Sequence, residues 1–228
     1  MAKLHIFDMD GTLLAGSACL ELSRRAGYLD DVEEMEERWG RGEIGHVEFY
    51  ELLLPLWAEL GEEDIEEVFA GVPWLDGIEE VWRDIDARGE RSAVITLSPQ
   101  FFADKLRRLG LHEAYGAEVP AGGEVVAERV LTPESKVYIA SEVLERLGLG
   151  SDDTVAYGDS SSDVPLFEIL ANTVSVNGSE SLAAHAAVAY RGRDLREAYA
   201  LGRALLEPEA EPQLLAPARR QELRGSGR

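Results

Sequence analysis

The chain of 228 residues reads as an α/β protein: a Rossmann-like parallel sheet covered by helices on both faces, with an α-helical segment inserted near its start. Three observations predict this. The chain opens on a short apolar run, Leu4 to Phe7, of strand length. From Trp74 onward helical and strand-like stretches alternate, as they do when crossover helices connect parallel strands. Between these regions, from Thr12 to Pro73, every periodic stretch is helical. The expected organisation is therefore a core of residues 1–14 and 74–206, a helical cap of 15–73, and a disordered tail of 207–228.

The first strand runs directly into Asp8-Met9-Asp10-Gly11-Thr12. After it, Ser17 to Ala26, Val32 to Trp39, His46 to Leu60 and Glu62 to Phe69 place apolar residues at three- and four-residue spacing. Gly27, Gly40, Gly42 and Gly61 separate them. Residues 12–73 carry 16 acidic and 4 basic side chains, a charge expected on a solvated face. In the core, Asp76 to Arg88 predicts a helix closed by Gly89, and Ser92 to Thr96 a strand. Gln100 to Leu109 predicts a helix that Gly110 ends. Glu118 to Val130, with Ala-Gly-Gly at its centre, predicts a hairpin. Ser135 to Leu147 is a helix, Thr154 to Tyr157 a strand, Val164 to Leu170 a helix, Thr173 to Val176 and Val188 to Tyr190 strands, and Leu195 to Leu206 the last helix. Beyond Glu207 the Pro, Glu, Ala and Arg residues show no periodicity.

Composition narrows the function classes. Acidic residues number 44 against 22 basic, a formal charge of −22, which argues against a nucleic-acid partner, since phosphate backbones are held by basic faces. Apolar runs are too short to cross a membrane. The immediate strand leaves no room for a signal peptide, and a lone Cys19 forms no internal disulfide, so a cytoplasmic protein is expected. Lysines are rare: Lys3, Lys105 and Lys136 are the whole set. Oligomeric state leaves no signature.

The chemistry concentrates where strands end, the place at which open α/β sheets bind ligands. Asp8 and Asp10, two apart on an extended segment, project to one side, and Gly11 lets the backbone turn tightly beside a ligand. Such a pair suits a hard cation such as Mg²⁺, or a nucleophile with a proton shuttle beside it. An EF-hand-like calcium loop fails, because its later ligand and glycine positions would hold Thr12, Leu13 and Cys19. A plain surface turn or the Asp-x-Asp of a sugar-nucleotide enzyme are the remaining alternatives. Thr96-Leu97-Ser98 offers hydroxyls and an N–H at a helix entrance, either as a phosphate cradle or as a helix cap. Lys136 sits early in a helix, against the dipole. Gly158-Asp159-Ser160-Ser161-Ser162-Asp163 is a loop rich in oxygen ligands; its two acids are either helix caps or partners of Asp8 in a metal site.

Taken in order, these four stretches resemble the four motifs of the haloacid dehalogenase superfamily of phosphatases, and the helical insertion resembles the cap of its phosphoserine-phosphatase-like branch. The resemblance spans residues 3 to 206. It implies that Asp8 is the nucleophile forming an aspartyl-phosphate, and that Asp10 protonates the leaving alkoxide and then activates water. It implies Mg²⁺ held by the Asp8 carboxylate, the Asp10 carbonyl and Asp159, with Asp163 ordering the metal's water shell. Ser162 stands where relatives often have Asn. Lys136 neutralises Asp8 and a phosphoryl oxygen; Thr96, Leu97, Ser98, Gly11 and Thr12 make the phosphate site. Seven-residue spacing from Gly89 favours Thr96 as the key hydroxyl, whereas the Ser98-Pro99-Gln100-Phe101 pattern favours Ser98.

The resemblance thins in the insertion. Relatives that act on phosphoserine carry an acid nine positions after the nucleophile to hold the amine; here Ser17 stands there. The arginine they use for the carboxylate has no counterpart between Phe49 and Leu56. The expected substrate is a small phosphorylated metabolite other than phosphoserine. Arg24, Arg41, His46 and Trp57 are substrate-contact candidates, each first read as structural, and His5 is read as a core residue. Two other functions fit the same residues: a phosphotransferase that passes the phosphoryl group to an alcohol, and a non-catalytic Mg²⁺-binding protein with an acidic docking cap.

Overall fold

In the computed structural model, which describes residues 2–120, 123–207 and Leu215, β1 (Leu4–Phe7) runs through the middle of a sheet. The other strands are β2 (Arg91–Pro99), β3 (Glu113–Ala117), β4 (Thr154–Gly158), β5 (Asn172–Val176) and β6 (Val188–Tyr190). Their order is β3-β2-β1-β4-β5-β6, and every registered pair is parallel. The chain leaves β1 toward β2 on one side and returns to β4 on the other. That reversal opens a crevice beyond the carboxyl ends of β1 and β4.

A strand buried on both faces needs apolar side chains on both, which is why Leu4 to Phe7 shows so little polar alternation. Leu4 and Ile6 join Ala93, Ile95 and Ala156 in a core beneath α7 (Pro133–Leu147) and α8 (Val164–Ile169). Phe7, Val94, Val155 and Tyr157 face the opposite way, into a larger core shared with α5 (Ile78–Ala87) and α10 (Leu195–Leu206). His5 belongs to this second side. Its ring nitrogens meet Tyr157 Oη and Glu90 Oε2, both at 3.1 Å, and Arg203 completes the buried network on Glu90. Burial lowers the His5 pKa against the pull of Glu90, so the ring is neutral and structural.

Between β1 and α5 lies an all-helical segment: α1 (Ala18–Ala26), α2 (Leu29–Gly40), α3 (His46–Leu53) and α4 (Glu62–Gly71). The expected helix to Leu60 breaks early, becoming a 3₁₀ turn at Leu54–Trp57, because Pro55 has no N–H to continue the ladder. Lys105, almost fully buried, ties α4 to the core through Glu62 Oε1 at 2.5 Å and Glu66 Oε1 at 2.7 Å.

Two further expectations are corrected. Glu118 to Val130 is not a hairpin. One backbone bond joins Glu118 N–H to the Arg129 carbonyl at 3.0 Å, and Ala127–Arg129 is a 3₁₀ turn; Ala121 and Gly122 lie outside the described residues. The strand is the preceding Glu113–Ala117, where neighbouring β2 supplies the hydrogen bonds that its weak sequence pattern does not announce. The expected helix Gln100 to Leu109 is one α-turn, α6 (Gln100–Ala103), followed by a 3₁₀ run, Asp104–Leu109. A further short helix, α9 (Glu180–Ala183), follows β5. Most of the expected disordered tail lies outside the described residues, but Leu215 within it packs on the larger core. No helix among the described residues is long and apolar enough to cross a membrane.

Candidate active site

Asp8 is the first residue past β1, fixed by its N–H to the Tyr157 carbonyl at 2.9 Å. The chain then curls tightly: the Met9 carbonyl accepts from Leu13 at 2.8 Å and Leu14 at 2.9 Å. Gly11 makes the curl possible with φ +73°, and a Cβ there would collide with the Asp159 carboxylate. The residue thus serves both the turn and the close approach. Asp10 is anchored at both oxygens, Oδ1 accepting from the Ala18 N–H at 2.6 Å and Oδ2 from Thr96 Oγ1 at 3.3 Å. The start of α1 is thereby fastened to the second acid of the pair.

Thr96, Leu97 and Ser98 arrive through an irregularity in β2. Register passes from Ile95 opposite Tyr115 to Pro99 opposite Ala117, four steps on β2 against two on β3. Bulges of this kind re-aim side chains next to sites. Thr96 Oγ1, besides donating to Asp10, accepts the Ser98 N–H at 3.1 Å. The Leu97 carbonyl takes the Tyr50 hydroxyl at 2.6 Å, linking the inserted helices to the strand end.

Lys136 enters from the first turn of α7, where Thr132 and Ser135 form a reciprocal cap behind Pro133. Only 1% exposed, its ammonium donates to Asp8 Oδ1 at 2.8 Å, Asp163 Oδ1 at 2.7 Å and Ser162 Oγ at 3.2 Å. Asp163 Oδ2 accepts the N–H groups of Asp159 at 3.0 Å and Ser160 at 3.2 Å, which shapes the loop after β4. Gly158 is required here, since a Cβ would run into the Asp163 carboxylate. The Asp159 carbonyl is held in turn by the Ser179 N–H at 3.0 Å.

One carboxylate oxygen from each of Asp8, Asp159 and Asp163 lies within 4.8 Å of the others, a group that could hold a metal ion. The electrostatics suit a further cation. Burial raises Asp8 well above the usual carboxylate range; Lys136 pulls it back, while Asp163, Asp159 and Asp10 push it further up. Burial, then Asp163, lifts Asp159 to about 7. Burial opposes a charged Lys136, yet Asp163 and Asp8 outweigh it and raise its pKa. Asp10 is raised by burial, with Ser98, the Ala18 N–H and Thr96 offsetting part of that. An all-oxygen set with more negative charge than one ammonium can balance fits a hard divalent ion such as Mg²⁺.

These groups floor a cavity of about 450 Å³. Of the sequence-predicted residues, Asp8, Asp10, Gly11, Thr96, Leu97, Ser98 and Asp159 line it, and Lys136 and Asp163 stand behind the floor. Thr12 does not line it; its buried Oγ1 has no hydrogen-bond partner. Among the substrate-contact candidates, only His46 reaches the cavity. Arg24 pairs with Glu21 and Arg41 with Glu43 and Glu37 at the surface, while Trp57 is core, donating to Ser23 Oγ at 2.9 Å. Sequence reasoning missed Cys19, which sits against Ser98 at 3.8 Å, and Leu20, Glu36, Trp39, Phe49 and Tyr50, which with His46 form the far wall. Helical periodicity marks the aromatic residues only as apolar, and nothing local distinguishes Glu36 from its acidic neighbours on α2.

A family model for haloacid dehalogenase-like hydrolases matches residues 6–168. The chain belongs to this family. Among curated relatives, a phosphoserine phosphatase of Archaeoglobus fulgidus is 30% identical over 185 residues, 79% of this chain. The chain spans 54% of that protein's length. A phosphoserine phosphatase of Methanocaldococcus jannaschii is 26% identical over 201 residues, 86% of this chain and 95% of that one. In fold, the protein matches a phosphoserine phosphatase solved as a phospho-aspartyl intermediate analogue, with TM-score 0.72 and 24% identity over 86% of this chain and 96% of that chain. A family hydrolase from Salmonella enterica serovar Typhi superposes with TM-score 0.78 at 17% identity, covering 91% of this chain and 72% of that one. The superposed structures thus share this chain's overall fold.

Proposed function

We propose that the protein is a Mg²⁺-dependent phosphomonoester hydrolase that works through an aspartyl-phosphate on Asp8. The observation that carries this reading is the buried Lys136 ammonium clamped between Asp8 and Asp163, with the Asp159 carboxylate beside them. Phosphoryl transfer needs in-line positioning and neutralised oxygens more than covalent chemistry from the protein, and this cluster is built for both. Mg²⁺, when bound, supplies charge neutralisation to the phosphoryl oxygens. Both oxygens of Asp163 are already committed, one to Lys136 and one to two N–H groups. Direct carboxylate contact with the metal would therefore fall to Asp8 and Asp159, alongside the Asp10 carbonyl, with Asp163 as their brace.

An Asp8 carboxylate oxygen attacks phosphorus, and the bond from phosphorus to the ester oxygen breaks. Asp10, whose carboxyl is raised by burial, gives its proton to the departing alkoxide. The ionised Asp10 then takes a proton from water as that water attacks the phosphorus of the acyl phosphate, releasing inorganic phosphate and restoring Asp8. Thr96 positions Asp10, and the Leu97 N–H and the Ser98 hydroxyl, both of residues that line the cavity, offer donors to the phosphate.

The curated relatives are named as phosphoserine phosphatases. A carboxylate on the substrate would need a cation, and among the described residues no lysine or arginine lines this cavity. That supports a phosphorylated metabolite other than phosphoserine. The test is phosphate release from p-nitrophenyl phosphate with Mg²⁺. Activity is expected in the native protein and a loss of roughly 10⁴-fold or more in Asp8→Asn, as nucleophile removal produces elsewhere. No release by the native protein would refute hydrolysis, and a phosphorylated alcohol in place of free phosphate would assign a transferase.

A further inference from the structure

The far wall of the cavity has a composition that the phosphoryl chemistry does not use. It consists of Leu20, Glu36, Trp39, His46, Phe49 and Tyr50. The rings turn around the wall at changing angles: Trp39 and Phe49 centroids are 6.2 Å apart at 45°, and Phe49 and Tyr50 are 5.6 Å apart at 79°. His46 stands edge-on to Trp39 at 5.2 Å, and its buried Nε2 has no hydrogen-bond partner. Glu36 is the one acid of the wall. Ser17 Oγ donates to its Oε1 at 2.6 Å, and no cationic side chain is paired with it among the described contacts.

One carboxylate and three aromatic side chains in the same lining, with no lysine or arginine among them, make a poor seat for an anion and a good one for a cation. Aromatic quadrupoles attract ammonium groups, and a partly desolvated carboxylate accepts charge-assisted hydrogen bonds. His46, kept neutral by burial, has a ring nitrogen that can accept an N–H as well. Resting on the reading of Asp8 as the phosphoryl acceptor, we infer that the substrate is the phosphate monoester of a short amino alcohol, its cationic nitrogen held by Glu36 against Trp39, Phe49 and Tyr50, and that it bears no carboxylate. Burial pushes the Glu36 carboxyl up to about 7, with the Ser17 bond holding it lower than burial alone would. A bound cation would restore its ionised form. At the phosphate end the positive charge would come from Lys136 and a bound Mg²⁺, beside the donors of Leu97 and Ser98, so both ends of such a substrate would find opposite charge.

The experiment compares each amine with its uncharged isostere: O-phosphoethanolamine against ethyl phosphate, and 3-aminopropyl phosphate against propyl phosphate, with O-phosphoserine adding the carboxylate. In the native protein with Mg²⁺, kcat/KM for at least one amine is expected to exceed that of its isostere and of phosphoserine by about tenfold or more, the size of a desolvated cation–π and ion-pair contact. In Glu36→Gln that ratio should fall to within about threefold of unity, since the isosteric amide lacks the charge. Equal turnover of amine and isostere, a preference for phosphoserine, or a ratio that survives in Glu36→Gln would each overturn the assignment. Calorimetric titration of Asp8→Asn with the same esters and Mg²⁺ separates this from the phosphatase reading. Amine-selective binding without hydrolysis by the native protein would sink the phosphatase reading alone. Hydrolysis of p-nitrophenyl phosphate without amine selectivity would sink the present inference alone.

Discussion

At the floor of the cavity the acids and the lysine are held by fixed partners: Asp10 is bound at both oxygens, Asp163 likewise, and Lys136 makes three contacts. Across the cavity, the wall from α2 and α3 holds one carboxylate, three aromatic rings and a histidine nitrogen with no partner. The floor is built on strand ends and a helix start of the sheet, the wall on inserted helices. A group that must be placed to a fraction of an ångström for phosphoryl transfer gains from over-determination. A wall that has only to accept or reject the rest of the molecule does not require it, and can differ between relatives while the floor stays as it is. On the proposed function, chemistry and selectivity reside on separate pieces of chain, joined by the Asp10 to Ala18 and Tyr50 to Leu97 hydrogen bonds.

Substitutions in the floor should therefore cut turnover, and those in the wall should spare it while altering fit or stability. After Asp8→Asn, the largest effect expected within this contrast is from Asp10→Asn, which removes the proposed proton donor and should lower kcat by ~10²–10⁴-fold while leaving Mg²⁺ binding intact. Metal titration followed by steady-state kinetics reads both; a twofold change in kcat would break the contrast. Lys136→Met leaves Asp8 and Asp163 facing each other without their cation. Because breaking a buried ion pair typically costs ~3–5 kcal/mol, denaturant unfolding in Mg²⁺-free buffer should show a loss of that order. Asp159→Ala should raise the Mg²⁺ concentration for half-maximal activity by about tenfold or more, since even outer-sphere partners of metals are worth that much; an unchanged requirement would remove Asp159 from the metal site.

The effect expected in the wall is on stability and not on turnover. Glu36 has its carboxyl raised from the ordinary 4.5 to about 7, so between those values the folded protein holds a proton that the unfolded chain has lost. Its contribution is absent below about pH 4.5 and becomes increasingly destabilising as pH rises toward 7, because stability falls wherever the folded state binds more protons. Glu36→Gln, which keeps an acceptor for Ser17, should be as stable as the native protein near pH 4.5 and more stable at pH 8, by at most about 3 kcal/mol. Urea unfolding at the two pH values checks this. A gap that narrows with rising pH would show that Glu36 is not desolvated in the wall.

Much of this was legible in the chain before folding was considered. The strand Val188 to Tyr190 and the helix Leu195 to Leu206 fall where periodicity places them, because each pattern of burial follows from local geometry. Glu118 to Val130 misled, since turn residues between apolar positions look alike whether or not a neighbouring strand is available. Lys136 could be suspected for its rarity and its place against a helix dipole, but its burial between two acids follows from packing of α7 under the sheet.

Local sequence determined where strands end in acids, where backbone must turn through glycine, and which stretch is all helix, since propensity, periodicity and steric limits act over a few residues. Only the tertiary structure decided that Glu36, 28 positions beyond Asp8, shares its cavity, and that Asp163 spends both oxygens inside the protein. Contacts between distant segments depend on how whole helices pack, and no local pattern in the chain encodes that distance.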